Sequence, residues 1–416
     1  MELEQTSADL ILAGNTTFFT LRRVQLTLIF AAYMFVGLNS GGFGVILPYL
    51  STSYGLDKST SGLLFLAGAG GYVTAAFVSS WLSQRLGLRY FTVVGLGLFG
   101  LGSLILALQA PFSLVLVGRL LLGLAMAVLE TGGNFYVTAL PRNTALLNYV
   151  HAFFGVGALL GPVVATAVLG WGWPTLFWIW LVLSGLLILG FYLGFRHLPT
   201  SVKLPTAHTG QSGSTSLMVQ TMRLPIVWWA ILFLLLYVGG ESSVGSWTYT
   251  FLSEGQHLVT ALAGALVSVY WLGLTLGRLA MGWATDRLRL SDRTLLLGCV
   301  VGSFVGGGFL WVWPDQPVVA GLGLLIIGFS YGPIYPTTLA LLSRLVAPAF
   351  VPSLIAVLTS LSILGIAVFP WLAGVLFDQA GLGTFAPYIV GLSVTMLVSG
   401  MVLLRPKSLK EDSPPL

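Results

Sequence analysis

Residues 80–86 read Ser80-Trp-Leu-Ser-Gln-Arg-Leu86, and residues 282–288 read Gly282-Trp-Ala-Thr-Asp-Arg-Leu288. Trp, Arg and Leu hold the same places in both heptapeptides, which lie 202 residues apart. Each follows a long apolar run. The matches extend outward from there: Tyr136-Val-Thr138 is similar to Tyr335-Pro-Thr337 at an offset of 199, and Pro162 pairs with Pro370 at 208. A shared offset near 200 residues points to duplication of a unit about half the chain long.

Each copy consists of apolar runs. A helix crosses a bilayer with about 20 such residues. Twelve segments qualify: about 25–50, 60–82, 90–109, 112–140, 146–169, 174–195, 226–252, 260–284, 294–313, 317–345, 351–376 and 384–404. These runs are too long and too uniformly apolar for the ten-residue alternating strands of a membrane barrel. The fold expected is all-α: twelve transmembrane helices in two pseudo-symmetric bundles of six. The divisions expected are an N-terminal segment 1–24, a bundle 25–196, a linker 197–224, a second bundle 225–404 and a tail 405–416. The linker reading rests on the longest polar stretch, which includes Gln211-Ser-Gly-Ser-Thr-Ser216.

Composition agrees. Of 416 residues, 56% are hydrophobic and 7% charged, where a soluble domain carries about 25% charged residues. Mean hydropathy is +0.94. A soluble enzyme, a disordered chain and a disulfide scaffold are excluded; Cys299 is the single cysteine. The net charge of +5 does not indicate a nucleic-acid partner, because the basic residues are scattered between apolar runs. Their sidedness sets the orientation. Of the 18 basic residues, only Lys58 falls in an expected outer loop, and Arg119 and Arg278 lie within spans. The others fall on one side, which the positive-inside rule makes the cytoplasmic one. Both termini are expected inside, in a plasma membrane.

Ionisable groups at bilayer depth are costly, about 2.5–3.5 kcal/mol on insertion scales, and so mark function by default. Glu130 lies deep in the fourth span and Glu241 in the middle of the seventh. Desolvation disfavours a charged carboxyl, which makes both candidates for proton coupling, against a structural ion pair as the plain alternative. Asn134 shares a helix face with Glu130. Arg278 reads as an inner-end structural residue, and Arg119 divides evenly between structure and function. Histidine as a residue type titrates near neutrality, so His151 is a candidate for a proton role and as readily a packing residue. Asn39, Asn134, His151, Tyr237, Trp247, Tyr331 and Tyr335 are the candidate substrate-binding residues, the aromatic ones competing with ordinary helix packing. No metal-ligand spacing, nucleotide loop or nucleophile motif occurs. Neither an enzyme, a cofactor nor an ATP-driven pump is expected.

Twelve spans, two halves and a central inner linker resemble the major facilitator superfamily, whose halves are parallel repeats rocking about a midplane site. Gly282-x-x-x-Asp286-Arg287 is similar to its signature loop, with Ser80 to Arg89 as a degraded copy. The resemblance implies that Arg85, Arg89, Asp286 and Arg287 form a conformational latch, with simple positive-inside anchoring as the alternative. Within the superfamily, Leu129-Glu-Thr-Gly-Gly-Asn134 and Asn148-x-x-His-x-Phe resemble the fucose permease family of sugar:proton symporters, and Tyr237-Val-Gly-x-Glu241 is similar to the seventh-helix motif of its broader branch, which includes eukaryotic glucose transporters. That likeness implies Glu130 as the proton-coupled acid, and Asn134 and His151 near sugar hydroxyls. One departure stands out. The family carries an acid just before the Leu-Pro of its first helix, where this chain has Gly44, and Asn39 is the nearest polar substitute.

The function expected is secondary active import of a sugar or similar small polar solute with a proton, sodium being the other candidate ion. The alternative is a proton-driven exporter of hydrophobic compounds. Gly157-Ala-Leu-Leu-Gly-Pro162 and Arg119-Leu-Leu-Leu-Gly123 resemble motifs of that group. The partners expected are a small-molecule substrate and the lipid bilayer, around a monomer.

Overall fold

The computed structural model describes residues 2–140, 143–196, 219–288 and 290–404. Within its helices, the side chains at 2–21, 76, 80, 143–145, 281–286 and 288 fall outside that description. Among the described residues, twelve helices are long and apolar enough to cross a membrane. The first six are Arg22–Tyr54, Lys58–Ser79, Trp81–Ala107, Phe112–Thr138, Leu146–Trp171 and Pro174–Gly194. The second six are Pro225–Gly255, Thr260–Ala280, Asp292–Val312, Pro317–Leu345, Pro348–Ala380 and Leu382–Leu403. No strand occurs among the described residues.

Local chemistry sets many of the ends. Pro174, Pro225 and Pro317 open their helices, where a missing N–H costs nothing. Asp57 caps the second span, its carboxylate accepting from Thr60 N–H at 2.7 Å, and Ser291 caps the ninth. The second and third spans form one helix broken only at Gly87, whose φ of +68° suits a residue without Cβ. The first helix runs back to Glu2, so the expected N-terminal segment continues the first span. Of the expected linker 197–224, residues 197–218 lie outside the described residues, and the chain is helical at 219–222.

The halves repeat one packing scheme. The first span meets the fifth backbone to backbone, with Gly37 against Phe154 O and Gly41 against Ala158 O. The seventh meets the eleventh likewise at Gly239 and Gly365. The second meets the fourth where Gly123 touches Gly68 O, and the eighth meets the tenth at Gly277 and Phe329 O. Lipid offers no hydrophobic drive for helices to associate, so close van der Waals contact through small residues replaces it.

Between the halves, the first span crosses the seventh, the second the eleventh and the fifth the eighth. The polar ties lie at the end away from the linker. Lys58 pairs with Glu254 at 2.5 Å. Asp378 accepts from the N–H groups of Lys58 at 2.8 Å and Ser59 at 2.7 Å. The Tyr49 and Tyr249 hydroxyls meet at 3.0 Å. A carboxylate on the first N–H groups of a helix sits where the backbone donors and the helix dipole favour an anion. This end of the molecule is sealed.

Candidate functional site

A cavity of about 390 Å³ lies between the halves, within the range of small-molecule sites. Each lining helix presents one face. The fourth span contributes Arg119, Gly123, Met126 and Glu130, spaced at helical intervals. The seventh contributes Tyr237, Glu241, Ser242, Gly245 and Ser246; the first contributes Asn39, Ser40, Phe43 and Gly44. Tyr72, Trp271, Arg278, Tyr335, Thr359 and Ser362 add to the polar and aromatic wall.

Glu130 is held by two tyrosines. Tyr72 donates to its Oε2 at 2.6 Å, and the Tyr33 hydroxyl lies 2.8 Å from both the Glu130 carbonyl and Asn134 Oδ1. The first, second and fourth spans thus meet at Glu130, the second at its carboxyl and the first at its backbone carbonyl. In the other half, Arg278 Nη2 stands 3.5 Å from Glu241 Oε1, and Tyr270 donates to the Glu241 carbonyl at 3.0 Å. Arg278, expected as an inner-end structural residue, lines the cavity as the partner of Glu241.

Arg119 is only 9% exposed. Its guanidinium lies over the Phe43 ring at 3.6 Å, and its Nε and Nη1 have no hydrogen-bond partner among the described residues. Asn39 donates to Met126 Sδ at 3.3 Å, while its buried Oδ1 has no partner.

The other expected site residues divide. Tyr237 and Tyr335 line the cavity, Tyr335 donating to Thr359 Oγ1 at 3.0 Å. Tyr331 packs edge-on against Tyr237 behind it. Trp247 is fully buried. Its indole donates to Pro370 O at 2.8 Å, and its ring packs edge-on against Phe65 and Phe377, so it presents no face to the cavity. His151 is exposed and edge-on to Tyr33 rather than in the cavity wall. Asn134 reaches the site through Tyr33. Arg85 lies over the Trp81 ring at 4.4 Å and Arg89 over Tyr192 at 3.9 Å. Arg287 is exposed, and the Asp286 side chain lies outside the described residues.

Gly44 accounts for the missing first-helix acid. It sits where the first span crosses the seventh, and a Cβ there would lie 2.5 Å from Gly245 O and 2.9 Å from Ser246 O. In this closed end no side chain fits. Sequence reading does not single out Tyr72 or Tyr33; the only local signal is a tyrosine in mid-span, Tyr72 directly after Gly70-Gly71.

The family model of the Major Facilitator Superfamily matches residues 29–370 and again 261–416. The chain belongs to the major facilitator superfamily. Among similar superfamily-sized chains is "Bypass of stop codon protein 6" of Saccharomyces cerevisiae, 26% identical over 94% of this chain and 84% of that one. "Sodium-dependent glucose transporter 1" of Homo sapiens is 22% identical over 74% of this chain and 65% of its own length. Among superfamily structures, the nucleoside transporter NupG overlays with a TM-score of 0.77 at 12% identity, covering 93% of this chain and 99% of that one. The E. coli fucose:proton symporter overlays at 0.62 and 16% identity, covering 92% and 99%. At these identities the structures show the shared fold. The chain is therefore a membrane transporter of this superfamily, with the twelve-helix architecture its sequence implies.

Proposed function

We propose that this protein imports a sugar or a related small polyol together with a proton, by alternating access. The observation that carries the reading is Glu130: a mid-span carboxyl, hydrogen-bonded by Tyr72 and facing a cavity walled by both halves. The sidedness of the basic residues supports a cytoplasmic linker and termini; on that reading the sealed end faces outward and the cavity serves the inside. The named functions of the human glucose transporter and the fucose:proton symporter support a sugar-type solute.

The chemistry follows from charge. A carboxylate facing the cavity resists enclosure, because closing the halves strips it of water. Protonated Glu130 removes that cost and lets the halves rock with solute inside. The Tyr72 hydroxyl holds the carboxyl in one orientation in either state. Glu241 is already neutralised by Arg278, which leaves Glu130 as the acid free to carry the proton. Ser40, Ser242, Ser246, Thr359 and Ser362 supply hydroxyls for a polyol. The small residues of Gly157-Ala-Leu-Leu-Gly-Pro162 seat the fifth span on the first, Gly157 against Met34 O and Gly161 against Leu38 O. That packing requires no export activity.

The test is uptake of labelled hexoses and hexuronates into proteoliposomes under an inward proton gradient, an inward sodium gradient, or neither. Accumulation driven by protons alone is expected. Accumulation driven by sodium alone reassigns the coupling ion. Uptake of neither a hexose nor a hexuronate, with raised tolerance to hydrophobic cations in expressing cells, replaces import by export.

A further inference from the structure

From the cavity wall we infer a second, unassigned element of the site: Arg119 and Asn39 form a docking site for a hydroxylated carboxylate, so the solute is a sugar acid or similar hydroxy acid rather than a neutral sugar. This rests on the reading of the cavity as the transport site and narrows its substrate class.

The charge balance carries the argument. Among the described residues, two arginines and two glutamates line the cavity. Arg278 and Glu241 are paired. Glu130 is engaged by Tyr72 and stands eleven residues along the fourth span from Arg119, about 16 Å at 1.5 Å per residue. That leaves Arg119 without a counter-charge among the described residues. Lys58, Glu254 and Asp378 are occupied with one another at the sealed end.

Arg119 is also built as a recognition group. It is nine-tenths buried, stacked on Phe43, and keeps two buried nitrogen donors unused. A Cβ at Gly68 would lie 3.3 Å from its Nη2, so the absent side chain there leaves the guanidinium room. A planar fork with free donors matches a carboxylate, which accepts two parallel hydrogen bonds. One helical turn before Phe43, the unpaired Asn39 Oδ1 is an acceptor awaiting a donor, and a solute hydroxyl supplies one. The neighbouring unmet needs are thus an anion and a hydroxyl. When Glu130 is protonated the wall carries one net positive charge. Proton and anion therefore enter together as a neutral pair.

The experiment uses the purified full chain in detergent and in proteoliposomes. Thermal stabilisation is measured with matched pairs that differ at the acid group: D-glucuronate and D-glucose, lactate and propane-1,2-diol, 3-phenylpropionate and 3-phenylpropanol. Stabilisation by the carboxylate member, strongest for glucuronate, is expected. Arg119→Gln should weaken it about tenfold or more, as loss of a charge-assisted pair does, and Arg119→Lys should restore part of it. No stabilisation by any carboxylate, or equal stabilisation by the neutral partners, overturns the proposal, and this comparison needs only the parent protein should Arg119→Gln fail to fold. The wider reading fails separately: carboxylate binding without gradient-driven uptake removes proton coupling and leaves the anion site standing. Proton-driven hexose uptake indifferent to the acid group does the reverse.

Discussion

At the scale of single residues, the site is made by pairs that sequence spacing does not reveal. Glu130 receives its only side-chain hydrogen bond in the described structure from a different helix, at Tyr72. If Glu130 carries the transported proton, Glu130→Gln should still exchange solute across the membrane but lose gradient-driven accumulation. Counterflow and uptake assays on the same vesicles read the two separately, and accumulation that survives the change moves coupling to Glu241. Trp247 shows the converse. Its aromatic character in mid-span suggests sugar stacking, yet the ring is enclosed between Phe65 and Phe377. Trp247→Ala should therefore cost about 3–5 kcal/mol in stability, as large-to-small changes in packed interiors do, and leave solute affinity in the surviving protein unaltered. A thermal midpoint that holds while affinity falls would instead place the ring at the solute.

Elements act through their ends and crossings. The start of the second span is gripped from the other half by Asp378. An anion at an exposed helix N-terminus contributes about 0.3–1 kcal/mol, so Asp378→Asn should shift the balance of states toward opening of the sealed end by about two- to fivefold. Labelling of a cysteine placed at Ser246, from the face opposite the linker, reports that shift; the native Cys299 is buried. Labelling that does not change in Asp378→Asn would reduce this contact to decoration. The crossing of the first and seventh spans is tighter. Gly44→Asp, which places the related family's acid in this chain, has to displace Gly245 and Ser246 backbone atoms. It should expose the same cysteine more strongly than Asp378→Asn does, and protection equal to the parent's would show that the crossing yields without opening.

Over the whole molecule, two similarly packed halves meet at a sealed end and enclose a cavity between them. Such an arrangement transports only if the seal can open. Cysteines at Tyr49 and Tyr249, whose hydroxyls meet at 3.0 Å, joined by a short bifunctional thiol reagent, should stop transport while leaving solute binding from the linker side intact. Uptake that continues through the cross-linked protein would contradict rocking of the halves.

The sequence by itself determined the number of spans, the repeat, the sidedness of basic residues and the places of Glu130, Glu241 and Arg119 along their spans. These are properties of position along one chain, read from hydropathy and spacing without knowing any helix's neighbours. Span ends agree closely because Pro, Asp57 and Ser291 act locally; the break at Gly87 and the helical start of the chain differ because continuity depends on what packs alongside. Only the tertiary structure decided that Arg278 pairs with Glu241, that Arg119 remains unpaired, that Trp247 is enclosed and that Gly44 is a crossing point. The reason is geometric. Successive residues on a helix turn by about 100°, so an error of one residue in rotation moves a side chain from the cavity to a neighbouring helix or to lipid. Which face looks inward is set by the glycine contacts between helices far apart in the chain, and those exist only once the helices are packed.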